Sequence, residues 1–222
     1  MNKIALLPAL MVSLAVASTA AAQDPISSNP KVYSLVFEND VVRVLHVGVA
    51  PGQKTVVHEH PDNAVVVFTG SKMRFTGPDG KTQDAAMKPN DAMWSPAGKH
   101  FGENIGSGAI DGVIVELKSN KAPTATIPTS RPAATLTEAF DNPRARGVRM
   151  TLQPDFAEPA GTVHDFDQVV IALEPADISL DVEGKTKTHW MRGDAMFIGR
   201  GMKHASKNTG GKAVDVFIVA IK

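Results

Sequence analysis

The sequence predicts an all-β protein made of two tandem jelly-roll barrels, and three observations predict it. Apolar residues fall in short valine- and isoleucine-rich runs with no strong helical period. Glycine and proline turns separate those runs. The second half of the chain repeats the first at an offset of 104 residues, the mark of a duplicated unit.

Taken in order, the chain begins with Lys3, an apolar run over 4–17, and the small residues Ser18-Thr19-Ala20-Ala21-Ala22 before Gln23. This is the pattern of a secretory signal over 1–22, with Ala20 and Ala22 flanking the cut. The run is too short to remain as a span, which needs about 20 apolar residues. The mature chain is therefore expected in the periplasm or secreted, with no stable membrane span. Removing 22 of 222 residues leaves 200, enough for two domains of about 100 each. Cysteine is absent, so any metal must use histidine, carboxylate or amide ligands. The 23 basic residues equal the 23 acidic ones, and no basic stripe offers itself to nucleic acid.

Strand-like runs follow at 41–49, 64–68 and 109–117, with turns at Pro51-Gly52 and Pro78-Asp79-Gly80. The stretch 119–135 carries Pro123, Pro128 and Pro132 among Thr, Ala and Ser, and reads as an extended connector. Further strands fall at 169–173 and 214–221, with a turn at Glu183-Gly184. The repeat pairs Asn104 with Asn208, Asp111 with Asp215, His100 with His204 and His60 with His164. The expected domains are 30–118 and 136–222, joined by 119–135.

His58-Glu59-His60 lies just before an apolar strand. Strand side chains alternate, so the two imidazoles share a face and can reach one ion. His100, in Pro96-Ala97-Gly98-Lys99-His100, is placed to complete a three-histidine set. His46 alternates with Val42 and Val44 and reads as a core or supporting residue that could face a cavity. His189 reads as surface. Asp62, Asn63 and Glu103 lie close to the histidines in sequence, as supporting groups or as ordinary loop residues. Met93, Trp94, Met196 and Phe197 read as core.

These motifs resemble those of the cupins. The first cupin motif opens with glycine, five residues and His-x-His, as in Gly52, His58 and His60. The second motif resembles Asn90, Pro96, Gly98, His100 and Asn104, with one residue fewer than usual. It returns at full spacing in Gly193, Gly199, Gly201, His204 and Asn208. The resemblance covers nearly all of the mature chain and implies a bicupin. It implies one divalent transition metal (Fe, Mn, Ni, Cu or Zn) on His58, His60 and His100. The glutamate that cupins carry three or four residues further on falls here at Ala64 or Val65. A site without that acid keeps open positions and uncompensated charge, and suits a small anionic ligand. Such three-histidine sites resemble the iron centres of thiol and diketone dioxygenases.

In the second copy Thr162 replaces the first histidine, and His164, Gln168 and His204 leave a weaker, degenerate site. Oxygenation is the sharpest reading, ahead of isomerase or lyase chemistry. The alternative is a non-catalytic periplasmic protein that captures a small molecule or a metal. Fold and motifs name neither substrate nor catalytic residue, because cupins serve many chemistries. A homo-oligomer stays open.

Overall fold

Why the apolar runs are nearly continuous, rather than strictly alternating, becomes clear from the sheets they build. The computed structural model describes residues 23–118 and 125–222. The signal assigned to 1–22 and part of the connector lie outside the described residues. The first half contains β1 (Tyr33–Glu38), β2 (Val42–Val49), β3 (His58–His60), β4 (Asn63–Thr69) and β5 (Lys72–Thr76). It continues with β6 (Thr82–Ala86), β7 (Ala92–Ser95), β8 (Gly98–Asn104) and β9 (Ile110–Leu117). A five-stranded sheet of order β1-β2-β9-β4-β7 and a four-stranded sheet of order β3-β8-β5-β6 form the barrel walls.

The second half contains β10 (Ala134–Asp141), β11 (Ala145–Leu152), β12 (Ala157–Thr162), β13 (Asp167–Ala172) and β14 (Ala176–Val182). Then come β15 (Lys185–Trp190), β16 (Ala195–Ile198), β17 (His204–Asn208) and β18 (Val214–Ile221). Its sheets run β10-β11-β18-β13-β16 and β12-β17-β14-β15, the first half's order with every strand advanced by nine. The described residues add one short helix, α1 (Pro25–Ser28), capped by the Asp24 side chain. No helix among them is long and apolar enough to cross a membrane.

Both faces of the central strands β2, β9 and β4, and of β11, β18 and β13, are buried. Val42, Val44, Ala64, Val66, Val113 and Val115 pack with Val169, Ile171, Phe217 and Val219 in one shared core. The opposite face of each sheet lines its own barrel. A sheet covered on both sides needs apolar residues at consecutive positions. Phe140 ties the shared core together, 5.9 Å from Trp94 and 6.4 Å from Phe217 between ring centres. Its ring lies over Gly147, where a Cβ would come within 2.2 Å. Arg144 also bonds Asp62 across the halves, Nη1 to Oδ2 at 2.7 Å.

The two interiors differ. Trp190, Phe156 and Phe166, with Leu180 and Ile178, fill the second barrel. Ala125 and Ile127 of the connector pack against that core. The described part of the connector thus joins the second barrel's packing, and β10 begins at Ala134, inside the span read as connector. The segment before residue 30 is also attached: Glu59 N donates to Gln23 O at 3.0 Å.

Candidate metal centre

β3 is three residues long because Pro61 follows it, and it pairs antiparallel with β8. The register sets His58 directly opposite His100, with His60 two residues along on the same face. The three rings each offer one nitrogen, and these atoms all lie within 4.8 Å of one another. His58 and His60 are buried and His100 is partly buried.

The hydrogen bonds orient two rings. His60 Nδ1 donates to Glu116 Oε1 at 2.6 Å, and His58 Nδ1 donates to the Val56 carbonyl at 2.8 Å. Both Nε2 atoms are left as lone-pair donors. His58 Nε2 accepts a hydrogen bond from the Tyr33 hydroxyl at 2.9 Å. Glu116 is 1% exposed, and its second oxygen accepts from Arg43 Nε at 2.5 Å. Arg43 is held in turn by Asp24. A carboxylate behind a histidine fixes the tautomer and raises the ring's basicity, as in known metal sites.

Burial, and secondarily the charges of His58 and His60, push His100 down to about 4. Burial lowers His58 as well, against the pull of the Val56 carbonyl. Burial, with the Glu116 charge adding, raises the Tyr33 phenol well above its ordinary value. His58 and His100 are therefore neutral at neutral pH, the form that binds metal, and Tyr33 keeps its proton. Three imidazoles, two of them with oriented lone pairs, fit a divalent transition ion.

His60 and His100 reach a cavity of about 650 Å³ inside the first barrel. Val47, Val65, Met73, Phe75, Met93 and Ile114 give it an apolar wall, and Tyr33 and Asn63 add polar atoms. That volume suits a small organic molecule.

Several expectations need correction. Ala64 does not face the histidines. It is fully buried in the core between the halves, while its neighbour Val65 faces the barrel. Strand pairing gives the reason. Asn63 pairs with Ser95 and Glu116, just as Gln168 pairs with Ile198 and Ala220. The equivalently paired position comes three residues after the second histidine in the first half and four after it in the second, so Asn63, not Ala64, is the counterpart of Gln168. His46 shares the Val42 and Val44 face, away from the cavity, and pairs with Asp111 at 2.6 Å at the surface. Met93 and Trp94 both line the cavity, and Trp94 also packs against the shared core. Asp62 accepts from Ala97 N besides Arg144, a bracing role. His189 is exposed beside Asp177. Glu103 sits on β8 and bridges to Lys54 through the backbone.

Tyr33, Arg43 and Glu116 were missed by sequence reasoning. Glu116 carried a usable signal: an acid in an otherwise apolar strand, aligned with Ala220 in the repeat. The second half shows what its loss does. Arg146 holds the place of Arg43, opposite Ala220, and its buried Nε has no hydrogen-bond partner.

In the second barrel Thr162 stands opposite His204, as His58 stands opposite His100, but its hydroxyl donates to Pro159 O at 2.7 Å. His164 and His204 come together, joined by Glu158 of β12. Gln168 faces the same barrel interior, buried, with Oε1 unpartnered. Burial raises the Glu158 carboxyl, but the neighbouring His204, Arg131 and Ser206 outweigh it and hold the group at about 2. Burial and Arg131 push His164 down to about 4.

No protein-family model and no curated protein matches the sequence. Solved structures do match. A cupin 2 conserved barrel domain protein from Leptotrichia buccalis superposes with a TM-score of 0.56 at 11% identity, covering 86% of this chain and 88% of that one. AerE from Microcystis aeruginosa gives 0.60 at 13% identity over 86% and 97% of the two chains. Salicylate 1,2-dioxygenase from Pseudaminobacter salicylatoxidans gives 0.59 at 13% identity over 82% and 71%. At these identities the likeness is one of architecture, and the chain has the fold of cupin-barrel proteins.

Proposed function

We propose that the first barrel is a metal-dependent oxygenase site of an exported protein, acting on a small molecule with an apolar body and an anionic end. The observation that carries this reading is the triad of His58, His60 and His100 at the wall of an apolar cavity, with two rings oriented by Glu116 and Val56. A divalent transition ion bound there supplies Lewis-acid and redox chemistry at open coordination positions. The chain's own residues do the rest. Glu116 and Arg43 keep the His60 ring in place. The apolar wall holds the ligand body and excludes water from it. Tyr33 places a hydroxyl in hydrogen-bond contact with the triad, and can donate to an anionic group seated beside His58.

The dioxygenase neighbour acts on salicylate by its name, and two of its structures carry gentisate. A hydroxylated aromatic acid or a comparable small enolic acid fits the cavity in size and polarity. The test is oxygen uptake by Fe(II)-loaded protein, prepared without air, against a panel of hydroxylated aromatic acids and diketones. The expected result is uptake with at least one class, lost in His58→Ala and His100→Ala. Tight binding of a panel member with no uptake under any metal would overturn the oxygenase reading and leave capture.

A further inference from the structure

The second barrel places a carboxylate where no repeat position holds one. Glu158 lies on β12, four residues before Thr162, and aligns with Lys54 in the repeat. Its Oε1 lies 3.7 Å from His164 Nε2, and its Oε2 lies 3.6 Å from His204 Nε2. These separations are too long for hydrogen bonds. They approach the spacing of two ligands on one ion, which is about 3.0–3.4 Å for bonds near 2.1 Å.

His204 supplies the second observation. Its side chain is fully buried, and Nδ1 donates to the Met202 carbonyl at 3.3 Å. That bond leaves the Nε2 lone pair aimed at a carboxylate oxygen, one acceptor facing another. His204 Nε2 and His164 Nε2 are both buried without a hydrogen-bond partner, as is Gln168 Oε1 on the inward face of β13. Buried polar atoms are normally satisfied, and a cluster of lone pairs pointing at one another calls for a cation.

We propose that Glu158, His164 and His204 form a second metal site, closed and structural, for a divalent transition ion such as Zn²⁺. Its acid comes from the strand before the histidines rather than from Gln168. Arg131 and Ser206 bond the two Glu158 oxygens and orient the carboxylate, each oxygen keeping a lone pair for the ion. Trp190, Phe156 and Phe166 pack the barrel beside it. Arg131 belongs to the segment between the halves, so the ion fastens that segment to the second barrel.

The test uses the full chain carrying His58→Ala and His100→Ala, which removes the first triad and makes the result independent of the first barrel's function. Zn²⁺ alone is titrated against a chelator, and bound metal is counted after dialysis. The expected result is one equivalent of Zn²⁺ in this background, and a melting temperature that rises when the metal is added. Adding Glu158→Gln is expected to weaken binding at least tenfold and abolish the rise. His164→Gln gives the same readout should Glu158→Gln fail to fold. No bound Zn²⁺ in the starting background, or Zn²⁺ affinity unchanged by both substitutions, would overturn the site. Folding of the second barrel without metal is then the answer.

Discussion

Glu116→Gln separates a metal-centre role from a purely architectural one. The native carboxylate accepts from His60 on one oxygen and from Arg43 on the other, with Glu116 1% and Arg43 20% exposed. An amide of the same shape accepts on one side only. Its NH₂ must then face either the His60 N–H or the guanidinium, and the buried Arg43 charge loses its main partner. Removing one member of a buried pair costs about 3–5 kcal/mol. Arg43 keeps Asp24, which favours the lower end, about 3 kcal/mol. For a chain of this size that is a fall in melting temperature of about 6–12 °C. Loss of a carboxylate behind a metal-binding histidine lowers metal affinity about 10–100-fold. Both are measured on one preparation, thermal unfolding in chelator and Zn²⁺ or Co²⁺ affinity by chelator competition. Asp177→Asn, beside exposed His189, is the control and should change neither. A large fall in melting temperature with metal affinity within threefold of the parent would show that Glu116 serves Arg43 and the fold, and that His60 is not a metal ligand.

Ala64→Glu should not tighten metal binding. It buries an unpaired charge in the core between the halves and should cost about 3–5 kcal/mol by chemical denaturation, whereas Asn63→Asp, on the barrel side, should tighten metal. The reverse pattern would refute the strand phase assigned here. Tyr33→Phe removes a hydroxyl that occupies the His58 lone pair in the metal-free protein. The loss of a bond worth about 0.5–1.5 kcal/mol predicts metal affinity about 2–12-fold higher, with azide binding to the loaded protein weakened; unchanged values would separate Tyr33 from the site. Acid should destabilise the metal-free protein between pH 6.5 and 4. His100 and His164 lie near 4 when folded and near 6.5 when unfolded. Within that window the unfolded chain binds more protons, so their contribution is complete above 6.5 and lost as pH falls toward 4. A melting temperature flat from pH 7 to 4.5 would contradict the burial of these rings.

Local spacing is what made part of this protein legible before its structure. The 104-residue offset, the valine-rich runs and His58-Glu59-His60 all report on neighbours in sequence or on a copy of themselves, and strand alternation turns the last into two rings on one face. Tertiary structure decided the rest, because the decisive contacts join distant residues. Glu116 is 56 positions from His60 and 73 from Arg43, and no periodicity relates them. One residue fewer between His60 and Asn63 than between His164 and Gln168 turned Ala64 outward and Asn63 inward, a phase change that counting from the motif cannot detect. Which barrel stays hollow was equally out of reach. Space inside a barrel is set by the summed volumes of side chains from both sheets, and Trp190, Phe156 and Phe166 meet there only after the sheets have closed around them.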